Sequence, residues 1–333
     1  MSNQASAGKA GRSSRGVSVR ATHAALGAEV DGIELAKLDN ETFGRLKNAL
    51  LENVLLIFPR QSLAPADIVR IVRFFGTPVS SSNLHERTLK ERAAHELFSL
   101  PAEITVVSNV KQDGKSIGAL GDAEVVWHSD FSFKERPTAI RMLFAAEVPP
   151  VSAGGNTFFL NGYAAFDALP EALKRHVSGK SIKQDNTFDT TMTLREGANA
   201  SQNITESSGP SHPIISTHPE TGHNALFLGR RNRAYVNGLP LAESEALLDE
   251  LWAHATHERF CYEHRWSAGD LVIWDNRCTL HRRGAFDPES RRLLYAAQVE
   301  GHRPFEADDS LSRDVHPRAQ RRAPDTAEIS GRS

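Results

Sequence analysis

Val125-Val126-Trp127-His128-Ser129-Asp130-Phe131-Ser132-Phe133 is the stretch on which the reading of this chain turns. It is dense in β-branched and aromatic residues, which pack well on a pleated surface, so the pattern predicts a strand. Residues two apart on a strand share a face, and His128 and Asp130 are therefore expected on the same side. An imidazole beside a carboxylate offers two neighbouring ligands to a divalent metal. A third ligand from elsewhere would complete the two-histidine, one-carboxylate set that leaves open positions on a non-haem Fe(II) ion.

Working outward, the strongest third ligand is His281, in Trp274-Asp-Asn-Arg-Cys-Thr-Leu-His281-Arg282. It lies just beyond the apolar run Leu271–Trp274, which reads as a core strand. Eleven residues later (292 − 281), Arg292 opens the last predicted strand, and its planar guanidinium can pair bidentately with a carboxylate. Two competing histidine groups are weaker. His218-Pro219-Glu220 has similar spacing, but the intervening proline and the following Thr221-Gly222 make it a hairpin tip. His254 and His257 lie three apart on a predicted helix, no second cluster completes them, and a solvated helix face is expected there.

The 333 residues carry 39 Lys and Arg against 41 Asp and Glu, a formal charge of −2, which gives no global reason to seek nucleic acid or an anionic membrane. A small-molecule substrate is the expected partner, and a homo-oligomer is compatible. Cys261 and Cys278 form neither a CxxC pair nor a disulfide framework, and a reducing cytoplasm is the simplest setting. Residues 1–16 lack an apolar stretch and read as a disordered tail, 17–304 as a single domain, and 305–333 as a loose charged tail.

Within the domain, helices are expected over 39–53, from Ala64 to Phe75, over 161–176 with a boundary or kink at Pro170, and over 241–256. Ser80–Leu100 reads as loop with helical pieces, and the polar run 186–211 as a lid or mobile insert. The remaining apolar runs read as strands, with three closing the chain: 260–266, 269–276 and 292–299. The fold class is therefore mainly β with added helices (α+β), a double-sheet jelly roll of cupin-like type.

Trp127-His128-Ser129-Asp130, Gly154-Gly155-Asn156-Thr157, His212-Pro213, the run Trp266–Arg277, His281 and Arg292 together resemble the TauD/TfdA family of Fe(II)- and 2-oxoglutarate-dependent dioxygenases, over roughly 17–304. The resemblance implies a double-stranded β-helix and iron held by His128, Asp130 and His281. It places Thr157 and Arg292 at the 2-oxoglutarate cosubstrate, with O₂ as the other cosubstrate, and Phe133 in the substrate pocket. A carboxylate at 130, where related halogenases carry a small residue, favours hydroxylation.

One departure stands out. Sulfonate- and phenoxyacetate-cleaving members have a second arginine four residues after the cosubstrate arginine, where this chain has Ala296. Arg230, Arg231 or Lys111 would have to substitute if the substrate is an anion, and Arg231 joins Phe133 and the Ser108–Asn109 step as a pocket candidate. The expected function is hydroxylation of a small organic molecule, with or without later C–O, C–N or C–S cleavage. The alternatives are a hydroxylase or desaturase of a secondary-metabolite intermediate, a jelly-roll protein that binds metal without turnover, and a zinc hydrolase.

Overall fold

Alternation along the apolar runs sorts the chain into layers. In the computed structural model, which describes residues 16–80 and 97–307, β1 (Ser18–Ala21) and β2 (Ala28–Asp31) lead to α1 (Asn40–Asn53), β3 (Leu55–Phe58) and α2 (Pro65–Phe75). Both helices are apolar on one face and capped: Asp39 accepts a hydrogen bond from Thr42 N at 2.8 Å, and Asp67 accepts one from Ala64 N at 3.0 Å. Next come β4 (Thr105–Ser108), β5 (Lys111–Gln112), β6 (Lys115–Ser116), β7 (Ala119–Leu120), β8 (Val125–His128), β9 (Thr138–Glu147) and β10 (Thr157–Asn161).

α3 (Gly162–Asp167) and α4 (Glu171–Val177) replace the single helix expected over 161–176. The division falls at Pro170, which has no N–H to continue a helix and caps α4. Then follow β11 (Ser181–Lys183), β12 (Ser211–Pro213), β13 (Ile215–Thr217), β14 (Asn224–Leu226), β15 (Tyr235–Val236) and α5 (Leu241–Ala255). β16 (Cys261–His264), β17 (Leu271–Asp275), β18 (Thr279–Arg283) and β19 (Leu293–Glu300) close the described chain. The tails expected at either end, and most of the Ser80–Leu100 loop, lie outside the described residues.

Two sheets organise the rest: one of eight strands in the order β1-β2-β3-β17-β9-β19-β4-β7, and one of four in the order β16-β10-β18-β8. Leu56, Phe58, Met142, Phe144, Leu271 and Ile273 face one way from the larger sheet and pack under α1 and α2. Their neighbours Leu55, Ile57, Leu143, Ala145, Val272 and Trp274 face the other way and meet Phe159 of the smaller sheet. Leu160 and Leu280, on the outer side of that smaller sheet, pack with Leu247, Leu248 and Leu251 of α5. Each buried Leu, Ile, Val, Met or Phe among them stabilises the fold by about 1.5–3 kcal/mol, and a one-residue slip would exchange the two faces, so burial fixes the register.

Two expectations need correction. The strand expected through Phe133 stops at His128, and Ser129–Lys134 turns back: Phe131 has φ +55°, and Lys134 N donates to Phe131 O at 2.9 Å. β18 is a strand that the sequence reading did not include. His281 therefore sits inside the smaller sheet rather than beyond the end of a strand.

Candidate metal and cosubstrate site

On β10 and β18, residues pair Thr157 with Arg283, Phe159 with His281 and Leu160 with Leu280. Phe159 faces the space between the sheets, so the period-two rule sends Thr157, His281 and Arg283 into it as well. β8 pairs with β18 on its other side, with His128 opposite His281. The two imidazoles lie 4.1 Å apart between ring centroids.

Asp130 reaches the same point from the turn, not by strand alternation. Asn276, fully buried after β17, accepts a hydrogen bond from Asp130 N at 2.9 Å. Its amide donates to Asp130 O at 3.1 Å and to Thr138 O at 2.8 Å. Ser129 N donates to Gly229 O at 3.0 Å, and Ser129 Oγ to Asn276 O at 3.1 Å. With its backbone so committed, the turn aims the Asp130 carboxylate at both imidazoles, 3.6 Å from Nε2 of His128 and 3.6 Å from Nε2 of His281.

Among the described residues, His128, Asp130 and His281 offer ligand atoms that all lie within 4.8 Å of one another. His128 Nδ1 lies 2.8 Å from Val126 O, a contact that fixes the tautomer and leaves Nε2 as the free lone pair. Asp130 Oδ2 is buried and accepts no hydrogen bond from a described residue, although Arg141 Nε is 3.4 Å away. Burial pushes the Asp130 carboxyl up, but Arg141 and the imidazoles outweigh it and hold it well below the usual carboxylate range. Burial, and then the neighbouring His128, push His281 down to about 3, so its imidazole is neutral and available as a ligand. The free Nε2 of His128, the neutral imidazole of His281 and an ionised carboxylate with one oxygen unmatched fit a divalent ion.

Arg292, immediately before β19, is only 2 % exposed. Its Nε and Nη1 find no hydrogen-bond partner among the described residues, and burial, followed by the nearby Arg283, lowers its pKa. Thr157 Oγ1 accepts a hydrogen bond from Trp266 Nε1 at 3.0 Å, which leaves its own hydrogen to donate elsewhere. Gly154 and Gly155, at φ +88° and +82°, let the chain after β18 close in. A Cβ on Gly154 would stand 2.7 Å from Ala285 O, and one on Gly155 would stand 3.3 Å from Phe286 Cβ. The paired glycines therefore make room for Phe286, whose ring lies against both Arg283 and Arg292.

The other sequence candidates fall elsewhere. Phe133 packs edge-on to Phe131 at 5.4 Å and carries the Arg195 guanidinium 4.1 Å above its ring. Ser108 Oγ accepts from Val110 N, while Asn109 Oδ1 accepts from Arg292 N at 2.9 Å; this step supports the arginine rather than lining the metal cluster. Arg231 is bound to Glu245 and Asp249 of α5, and Lys111 is exposed on β5. Arg230 donates to Phe188 O and Asp189 O, tying down the 186–211 segment, which also touches β8 where Val126 N donates to Thr190 O. Arg230 meets His128 only through a backbone bridge, its guanidinium being spent on those carbonyls.

His218 pairs with buried Asp275 at 3.0 Å, His254 Nε2 lies 2.8 Å from Ala165 O, and His257 caps a 3-10 turn, so neither competing histidine group forms a metal set. Asn276, Arg141 and Arg283 were missed in the sequence. Arg283 had a signal, standing two residues after His281 on what proves to be one strand.

A 270 Å³ cleft opens next to the Asp130 turn, lined by Phe131, Lys134, Arg136 and Thr138 among others. No described helix is long and apolar enough to cross a membrane. Residues 18–298 match the model of the taurine catabolism dioxygenase TauD, TfdA family. The chain is 34% identical over 284 residues to the alpha-ketoglutarate-dependent 2,4-dichlorophenoxyacetate dioxygenase of Cupriavidus pinatubonensis, covering 83% of this chain and 94% of that one. It is 36% identical over 203 residues to pentalenolactone F synthase of Streptomyces arenae, covering 58% and 67%. Among solved structures, AAD-2 in complex with Mn(II) and N-oxalylglycine superposes with a TM-score of 0.71 at 25% identity, covering 88% of this chain and all of that one.

Proposed function

Because the chain belongs to the TauD/TfdA family of dioxygenases, we propose that His128, Asp130 and His281 hold its Fe(II) and that Thr157 and Arg292 hold the two ends of 2-oxoglutarate, Arg292 taking the distal carboxylate. The reaction class is that of the family, an Fe(II)- and 2-oxoglutarate-dependent dioxygenase. The observation that carries the ligand assignment is the convergence of three donor atoms within 4.8 Å around an orphaned carboxylate oxygen. We read the two facing sheets as the double-stranded β-helix of this family and residues 17–304 as one domain.

When bound, the iron supplies the oxidising step, in which O₂ and 2-oxoglutarate become succinate, CO₂ and a hydroxyl on the substrate. The chain's own groups bind, orient and exclude water. Asn276 sets the direction of the Asp130 backbone, and Arg141 keeps the carboxylate ionised. Phe159 and Trp274, stacked at 6.0 Å and T-shaped at 4.9 Å against His281, keep that side of the ligand set dry. Arg292 supplies the buried cation that an oxo-diacid's far carboxylate requires.

The substrate is read as a small organic acid, an aryloxyalkanoate being a fitting example. Phe131 and the cations Lys134 and Arg136 line the cleft beside Asp130, and Arg141 lies within the site. They take the place of the arginine replaced by Ala296, which is packed in the apolar layer between the sheets. Where the hydroxylated carbon bears an ether oxygen, the hemiacetal formed breaks to a carbonyl compound and an alcohol or phenol.

Anaerobic Fe(II) titration of His128→Ala, Asp130→Ala and His281→Ala is expected to show binding lost with the fold retained; unchanged affinity in any of them overturns the ligand set. A screen scored by succinate release should respond to phenoxyalkanoic acids and not to their methyl esters. Equal response to the esters rejects an acidic substrate, and activity retained with zinc in the absence of oxygen would indicate a hydrolase.

A further inference from the structure

Arg283 is a cation that the assigned roles leave unexplained. It lies on the inward face of β18 two residues from His281, opposite Thr157, and is 5 % exposed. Its Nη2 donates to Leu120 O at 3.0 Å and to Ala123 O. Nε and Nη1 have no hydrogen-bond partner among the described residues, and the same two atoms of Arg292 are equally unmatched. Both guanidiniums lie over the Phe286 ring, at 5.2 Å for Arg283 and 5.8 Å for Arg292.

No ion pair joins either one to a described carboxylate. A guanidinium keeps its positive charge at neutral pH. Two buried cations against one aromatic ring repel each other, and each forfeits hydration, unless an anion joins them. One carboxylate presents about four lone-pair sites, more than a single guanidinium fork fills.

We propose that Arg283 is a second cosubstrate-binding residue, its guanidinium and that of Arg292 gripping the distal carboxylate of 2-oxoglutarate together beside Phe286. This rests on reading Arg292 and Thr157 as the cosubstrate site. Leu120 and Ala123 hold one end of the Arg283 fork, so its other donors are already aimed and little side-chain entropy is lost on binding. The β8 approach (Leu120–Ala123) and the β18 strand thereby meet at the cosubstrate through this side chain.

The test is anaerobic calorimetric titration of the Mn(II)-loaded protein, without turnover, using 2-oxoglutarate and 2-oxobutyrate, which lacks the distal carboxylate. Arg283→Met is expected to raise the 2-oxoglutarate Kd about tenfold or more and to leave the 2-oxobutyrate Kd within about twofold. Arg283→Lys, which keeps charge but not the fork, should recover part of the loss and serves if the methionine variant does not fold. An unchanged 2-oxoglutarate Kd, or an equal loss for both acids, overturns the proposal and leaves Arg283 a purely structural cation. If Arg292→Met also binds 2-oxoglutarate like the wild type, the cosubstrate site itself has been misplaced, a failure distinct from that of Arg283 alone.

Discussion

Asn276→Ala tests whether the Asp130 turn is held in place from outside. The amide is fully buried and makes three hydrogen bonds, accepting from Asp130 N at 2.9 Å and donating to Asp130 O at 3.1 Å and Thr138 O at 2.8 Å. Asp130 O keeps a second partner, Thr138 N at 3.3 Å, so the groups that lose most are Asp130 N and Thr138 O. A buried group left without its partner costs about 1–3 kcal/mol, which gives roughly 2–6 kcal/mol of lost stability for the two. Freed from its anchor, Asp130 should also bind metal about 10–100-fold less tightly, the usual cost of losing a group that orients a ligand. Urea unfolding of the metal-free protein measures the first effect, and anaerobic Fe(II) titration the second. Leu248→Ala, in the α5 layer, is expected to cost a comparable 2–5 kcal/mol without touching the metal set. If both variants lose iron affinity equally, or Asn276→Ala binds iron within threefold of the wild type, the positioning argument is refuted.

Arg292→Met should raise the 2-oxoglutarate Kd by about 30-fold or more; an unchanged constant rejects its role. Gly154→Ala must place a Cβ 2.7 Å from Ala285 O at φ +88°, and about 1–3 kcal/mol of stability should be lost, read as a lower Tm; an unshifted Tm contradicts the close approach. Arg231→Ala should leave kcat/KM unaltered, since its guanidinium serves Glu245 and Asp249, and a fall beyond about fivefold would return it to the pocket. Burial raises the Cys261 thiol to about 11. The folded form therefore stays protonated where an unfolded thiol ionises, so this group stabilises below pH 9 and loses that contribution as pH rises through 11. Iodoacetamide should modify it about 100-fold more slowly at pH 8 than a thiol of ordinary pKa, with the rate climbing toward pH 11; a plateau above pH 9 would be inconsistent with that shift.

The strands that carry apolar side chains on both faces, such as Leu55–Phe58 and Leu271–Asp275, were legible because burial on each side leaves a continuous hydrophobic run. β18 escaped notice because Thr279, His281 and Arg283 turn their polar groups inward to the site, which breaks that pattern. Metal-competent residues were legible by type and spacing, yet the route bringing Asp130 to His128 was misread. The sequence cannot show that Asn276 captures the backbone of Ser129–Asp130 from 146 residues away, and without that bond a β-rich stretch reads as one strand. The Arg141 contact, though close in sequence, depends on a turn whose left-handed Phe131 no propensity announces.

The order of strands in the larger sheet also bears on synthesis. β17 and β19, made after every other strand of their sheet, must enter on either side of β9, between strands made more than a hundred residues earlier. Until then β3, β4 and β9 present unpaired edges, and β8 has no partner at all in the smaller sheet. Such late insertion means high contact order, slow maturation and a window in which nascent chains are open to aggregation. A chain shortened before residue 293 would lack not only β19 but the seam that joins β9 to β4 in the larger sheet.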